Sequence, residues 1–227
     1  IGKFMDNKYK YTYEKTANYC YKDSDVLINK LNITDEKDLY DAERGLVTLR
    51  TAQLNEEPIK GYFDFNHLKS IHKFLFQDIY RWAGDIRNCN IAKQDLFCLC
   101  EYIDSFANDI FSKLKKEVYF TKYSYEVKLE KLVELFADIN ALHPFREGNG
   151  RSQREFIEEL AKINGIDLNL TTVSKEDMII ASHDSINGHY EKLFDIFKKN
   201  SIPLSEEERI CFIKLYCIKE LCDTLID

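Results

Sequence analysis

Apolar residues recur at three- and four-residue spacing through most of the chain, the period of a helix with one buried face. Leu68, Ile71, His72, Leu75, Phe76, Ile79 and Tyr80 form such a face, which predicts a helix from about Asn66 that stops near Ala83-Gly84. The same period predicts helices over Glu101–Lys116, Ser124–Leu142, Arg151–Asn164 and Lys175–Lys199. Within residues 24–50, Thr34 reads as an N-cap with acids in the turn behind it, and residues 55–61 as a connection. Ser205-Glu206-Glu207-Glu208 is a capping box that opens a terminal helix reaching Ile226. Residues 86–98 lack the helical period and predict a short strand or hairpin. Residues 6–25 are polar and tyrosine-rich, an irregular lead-in, and Met5 is read as the natural start with residues 1–4 a remnant. There is no internal repeat. The predicted architecture is all-α, with one helical domain over residues 5–200, one small β-hairpin and a C-terminal helical extension over residues 201–227.

Composition narrows the class without changing this picture. The chain has 227 residues, enough to bury a core without staples. Eight glycines and three prolines fit a helical chain rather than a turn-rich one. Seven cysteines, an odd and unevenly spaced set, predict reduced thiols and a cytoplasmic setting. Cys98 and Cys100 lack the spacing of a zinc pair, and Cys211, Cys217 and Cys222 read as small core-facing residues. A net charge of −7 argues against direct nucleic-acid binding. No apolar run is long enough to span a membrane.

Chemistry concentrates in residues 143–154, HPFREGNGRSQR, between two predicted helices. Gly148 and Gly150 allow unusual backbone and close ligand approach. A glycine-rich turn at a helix start presents N–H groups and a positive dipole end, a site for phosphate. Asn149 can cap the helix or donate from its amide. Arg151 and Arg154 share one helix face, and their planar forks suit phosphate oxygens. Glu147 is a hard oxygen ligand for Mg²⁺. His143 is the group here that titrates near neutrality, a candidate general base. Together these parts fit phosphoryl-centred transfer.

The segment satisfies H-x-F-x-[DE]-G-N-G-R-x-x-R at every specified position, a chance event on the order of one in 10⁸ in this length. That pattern is the signature of the Fic family, and the chain resembles it over residues 20–197. Leu75-Phe76, Tyr80, Trp82-Ala83-Gly84 and Arg87 resemble the family's LF…Y.WAG..R stretch. Asn90-Ile91, Lys93 and Phe97 resemble the flap that follows it.

The resemblance implies an all-α protein adenylyltransferase that moves AMP from ATP, with Mg²⁺, to a Ser, Thr or Tyr hydroxyl of a target protein. It implies that His143 is the base, Phe145 a loop anchor and Glu147 the Mg²⁺ ligand. Gly148, Asn149 and Gly150 would cradle phosphates, Arg151 and Arg154 would bind the β- and γ-phosphate sides, and Asn140 and Lys93 would contact the nucleotide. Ile91, Ala92, Lys93 and Gln94 would clamp an extended target segment by β-addition. Gly150 favours AMP transfer over phosphorylation, since the kinase-like branch carries lysine there; UMP or phosphoryl transfer, or a binding module without catalysis, is the alternative. Many relatives carry an inhibitory helix with [ST]-x-x-x-E-[GN]. Here the nearest match, Thr172 to Glu176, is followed by Asp177. The chain therefore resembles the toxin subclass restrained by a separate small antitoxin, whose glutamate would meet Arg154. It would act in the cytoplasm of its own or a host cell.

Overall fold

The computed structural model describes Thr12–Tyr13, residues 19–92 and residues 96–226. Helix α1, Glu36–Glu56, is capped by Asp35, whose carboxylate accepts from the Lys37 and Asp38 N–H groups. This moves the predicted cap one residue on from Thr34, because the Asp35 carboxylate is the one that reaches two orphan donors. The helix also runs to Glu56, through the first part of the predicted connection.

Helix α2, Phe65–Phe76, is capped by Asp64 and ends well before Ala83. Residues 77–84 are turns instead. Ile79 and Tyr80 are nevertheless buried, so the apolar spacing outlives the helix. Strand β1, Thr12–Tyr13, pairs antiparallel with β2, Ile91–Ala92. Ala92 also bridges Leu96, which closes the predicted hairpin. The tip residues Lys93 and Gln94 lie outside the described residues.

Helices α3 (Ile103–Lys116) and α4 (Tyr125–Leu142) follow the predicted bounds closely. Helix α5, Asn149–Ile163, starts two residues earlier than the period suggested. It lies against α2, α4 and the C-terminal α8, Glu206–Tyr216, and is buried along most of its length. Its N-terminal turn, with Gly150 and Arg151 partly exposed, is left open to a ligand. A second antiparallel ribbon, β3 (Ile166–Leu168) with β4 (Ser201–Pro203), was not predicted.

Two predicted helices are each broken in two. The stretch 175–199 is α6, Lys175–Ile186, then α7, Glu191–Lys199. Gly188 between them has φ +82°, which no continuing helix can hold. The terminal stretch is α8, opened by the predicted Ser205–Glu208 capping box, then α9, Lys219–Ile226. Cys217 is extended there because it pairs with Gly61 from the α1–α2 connection. Of the three C-terminal cysteines, Cys217 is buried and Cys222 partly so; Cys211 faces solvent, against the reading of all three as core-facing. Ile213, Tyr216, Leu221 and Leu225 join the same core as α2, α4 and α5. Among the described residues no helix is long and apolar enough to cross a membrane.

Candidate active site

Helix α4 ends on His143, the C-cap, in the left-handed region at φ +44°. That conformation is uncommon for a residue with a side chain and needs support from its surroundings. Arg87 supplies it. The residue is only 2% exposed, and Nε donates to the His143 carbonyl at 2.8 Å. Nη1 donates to the Cys89 carbonyl at 2.7 Å, and Nη2 to that of Cys98. One buried cation thus ties the histidine backbone to the segments on both sides of the flap strand.

The His143 side chain is equally constrained. It is 4% exposed and stacks on Phe97, with ring centroids 3.8 Å apart. Nδ1 lies 3.2 Å from the Asn140 carbonyl, which can only accept. In the neutral ring Nδ1 therefore carries the hydrogen and Nε2 is the proton acceptor.

The loop after His143 is closed by its own residues. The Phe145 N–H donates to Asn149 Oδ1 and Asn149 Nδ2 donates to the Phe145 carbonyl, both at 2.8 Å. The Asn149 amide is thus engaged within the loop, which leaves its backbone N–H as the group it can offer a ligand. Phe145 is buried and stacks on His72 at 3.8 Å, the anchor expected of it. Gly148, the N-cap of α5, has φ +82°, and a Cβ there would come under 3.0 Å from the Phe76 ring. No described side chain caps this helix start. The N–H groups at residues 149–151 thus keep the orphan character of a first turn.

The charged side chains stand around that turn. Arg151 Nη2 is 2.6 Å from Glu43 Oε1 and 3.7 Å from Glu147 Oε1, with the guanidinium 4.6 Å over Phe76. The second Glu43 oxygen accepts from the Tyr80 hydroxyl. Burial acts to lower the Arg151 pKa, but Glu43 and Glu147 outweigh it and the net shift is upward. Arg154 differs. Among the described residues it has no hydrogen-bond or ion-pair partner, and burial followed by Arg151 pushes its pKa down. The acids that act on it are Glu158 and Glu155; Glu176 is not one of them and is exposed. A partly buried cation without a partner beside an uncapped helix start is built to take an anion.

Glu147 Oε1 accepts from the Gly148 N–H at 3.0 Å, and its side chain is partly exposed. No group of three metal-ligating side chains occurs among the described residues. One carboxylate beside a helix start that can take an anion fits Mg²⁺, which takes few protein ligands and fills its shell from water and the anion's oxygens.

Other expected residues divide. Asn140 lies below the loop on α4, and its Nδ2 donates to the Ser182 carbonyl at 3.1 Å, tying α4 to α6. Ile91 is buried against Cys89 and Phe97, so its side chain holds the flap down, while Ala92 is half-buried on the flap strand. Lys93 and Gln94 are outside the described residues. Sequence reasoning missed Glu43, and it took His72 for an ordinary core residue. Glu43 is 7% exposed on α1, and the only signal for it was an acid on an apolar face. Its partner Arg151 is 108 residues away.

Residues 62–161 match the Fic/DOC family. The chain is 33% identical over 193 residues to "Protein adenylyltransferase VbhT" of Bartonella schoenbuchensis, covering 85% of this chain and 40% of that protein. It is 34% identical to "Probable protein adenylyltransferase Fic" of Escherichia coli K12, covering 84% of this chain and 94% of the relative. The chain therefore spans about two-fifths of the first relative and nearly all of the second. Among solved structures, BepC of Bartonella tribocorum with bound AMPPNP superposes with a TM-score of 0.77 at 25% identity. The alignment covers 83% of this chain and 98% of that one. A Fic domain from Bartonella quintana with bound ADP gives 0.77 at 26% identity, covering 84% and 97%.

Proposed function

From its membership of the Fic/DOC family, to which this chain belongs, we propose that it is a protein adenylyltransferase that transfers AMP from ATP to a side-chain hydroxyl of a target protein. The observation that carries this reading is the juxtaposition of His143, held with Nε2 as its acceptor, with an α5 N-terminus that no described side chain caps and with Arg154, which has no partner among the described residues. A base and a phosphate cradle on one loop are what nucleotidyl transfer needs.

In this reading Nε2 of His143 takes the proton from the target Ser, Thr or Tyr hydroxyl as its oxygen attacks the α-phosphorus. The new phosphoester forms as the bond from the α-phosphorus to the bridging oxygen breaks, and pyrophosphate leaves. The 148–150 turn binds phosphate through backbone N–H groups, and Arg151 and Arg154 neutralise the departing charge. Glu147 would hold Mg²⁺, which when bound offsets charge on the phosphate oxygens. The Glu43 bond on Nη2 leaves other guanidinium N–H groups of Arg151 for phosphate. The flap would receive the target as an added strand, and Lys93 would face the nucleotide. We further propose that a separate small antitoxin supplies a glutamate to Arg154, since Glu176 is exposed and does not act on that arginine. The setting is cytoplasmic, in its own or a host cell.

The test incubates the purified chain with Mg²⁺, target-cell lysate and ATP labelled at the α- or γ-phosphate, with His143→Ala as control. Label from the α position on a protein band, lost in the variant, is the expected result. Label from the γ position alone would make the protein a kinase, and transfer from neither would leave another donor such as UTP, or a nucleotide-binding module, which nucleotide binding by calorimetry separates. Adding lysate of the source cell should lower the transfer; unchanged transfer would remove the antitoxin from the proposal.

A further inference from the structure

His72 lies on α2, 75 residues before Glu147, and is fully buried. Both ring nitrogens are engaged. The Gly84 N–H approaches Nδ1 at 2.8 Å, and the Glu147 carbonyl lies 2.9 Å from Nε2. A backbone N–H can only donate and a carbonyl can only accept. Nδ1 is therefore the acceptor, Nε2 carries the hydrogen, and the ring is neutral in one tautomer.

The next link follows from peptide geometry. The Glu147 carbonyl and the Gly148 N–H belong to one planar peptide unit, so fixing one fixes the direction of the other. That N–H donates to Glu147 Oε1 at 3.0 Å. Three hydrogen bonds thus run in series, from the Gly84 N–H through His72 and the 147–148 peptide to the Glu147 carboxylate. The imidazole plane is itself clamped, stacked on Phe145 at 3.8 Å and on Phe76 at 4.7 Å. Phe76 in turn lies beneath Gly148 and the Arg151 guanidinium. The loop is touched by His72 at two points, the Phe145 ring and the Glu147 carbonyl.

We propose that His72 is a positioning residue of the phosphate loop, which orients the 147–148 peptide, and with it the Glu147 carboxylate, against the Trp82-Ala83-Gly84 turn. Its consequence for transfer rests on the nucleotide reading of the loop; its consequence for the loop itself does not.

Two substitutions separate the ring's two bonds. In His72→Gln the side-chain amide N–H can replace the Nε2 donor to Glu147. In His72→Asn the amide oxygen can replace the Nδ1 acceptor for Gly84, and the bond to Glu147 is lost. Both lose the ring stacking alike, so the difference between them weighs the Glu147 bond against the Gly84 bond, and a loop effect confined to His72→Asn reports the Glu147 bond. Amide hydrogen exchange is measured on the ligand-free chain. In His72→Asn, exchange across residues 146–151 should rise about tenfold or more, with α4 within about twofold of wild type. His72→Gln should stay near wild type in the loop. Equal loop exchange in the two variants, or a rise spread evenly over α2, α4 and α5, would overturn the proposal.

On the unmutated protein, nitrogen NMR of the imidazole reads the tautomer directly. Protonation at Nδ1, or at both nitrogens, at neutral pH would overturn it even if neither variant folds. The transfer rate should fall about tenfold in His72→Asn and be largely kept in His72→Gln. A wild-type chain that transfers nothing would sink the nucleotide reading, while the exchange and NMR results would still decide the role of His72.

Discussion

Gly148 and Gly150 look alike in the motif and differ in space. At Gly148 a side chain meets the Phe76 ring and the backbone is left-handed; at Gly150 a Cβ would meet only Arg154 Nη1, at 3.4 Å. Gly148→Ala should therefore cost more than about 1 kcal/mol and lower the transfer rate at least tenfold. Gly150→Ala should leave the melting temperature within about 1–2 °C of wild type, since it sits at a helical position. Thermal melts and the labelled-ATP assay on both variants check this; equal losses in both would refute the steric distinction. His143, Glu147 and the two arginines could be read together in the sequence as candidate site residues because they share one contiguous loop. Arg87 was quoted there only as part of a resemblance. Its work, holding the His143 carbonyl across 56 residues, became visible once the chain had folded back on itself.

The helices were legible where the signal is local. The Ser205–Glu208 capping box lies within four residues and forms as read. The start of α1 was misplaced because Thr34 and Asp35 are both good caps, and only the backbone direction decides which reaches the first turn. Asp35→Ala should thus destabilise the protein by about 1 kcal/mol, while Thr34→Ala should change it by less than about 0.5 kcal/mol. Urea unfolding of the two variants checks this, and the reverse order would restore Thr34 as the cap. The end of α2 was overrun for another reason. Leu75, Phe76, Ile79 and Tyr80 all face the core, so their spacing looks helical although residues 77–84 turn. Periodicity records burial, and a turn packed on the core buries residues as well as a helix does.

Across the whole molecule, buried ionisable groups set how stability depends on pH. Glu159 on α5 is 2% exposed, and burial, then Glu155, raises its pKa well above the usual carboxylate range. Burial, with Glu158 next, raises Glu155 to about 7. Burial moves His67 down, and His72 down to about 3. His67 Nε2 and Glu159 Oε2 lie 3.6 Å apart, and burial disfavours the charged form of each.

For the acids the folded state holds the proton more tightly than the unfolded chain. Their contribution is complete below about pH 4.5 and is lost as pH rises through the folded values. For the histidines the folded state holds it less tightly, so theirs is complete above about pH 6.5 and lost as pH falls. The opposing slopes leave a plateau between about pH 4.5 and 6.5, with a fall on either side. The melting temperature should drop from about pH 6.5 to 8.5, and Glu159→Gln, which mimics the protonated acid, should flatten that drop. A wild-type melting temperature that holds or rises over this range would exclude the assignment.

The sequence by itself determined the helical class, most element positions and the candidate loop at residues 143–154, because each is written in residues close together along the chain. The tertiary structure alone decided that Glu43 pairs with Arg151, that Arg87 holds His143, that His72 reaches Glu147 and that β3 finds β4. A one-dimensional pattern states which residues must leave water, and not which of the buried faces will meet. Polar groups carried inside with those faces must find partners there, and the partners are whatever packing brings within hydrogen-bond reach.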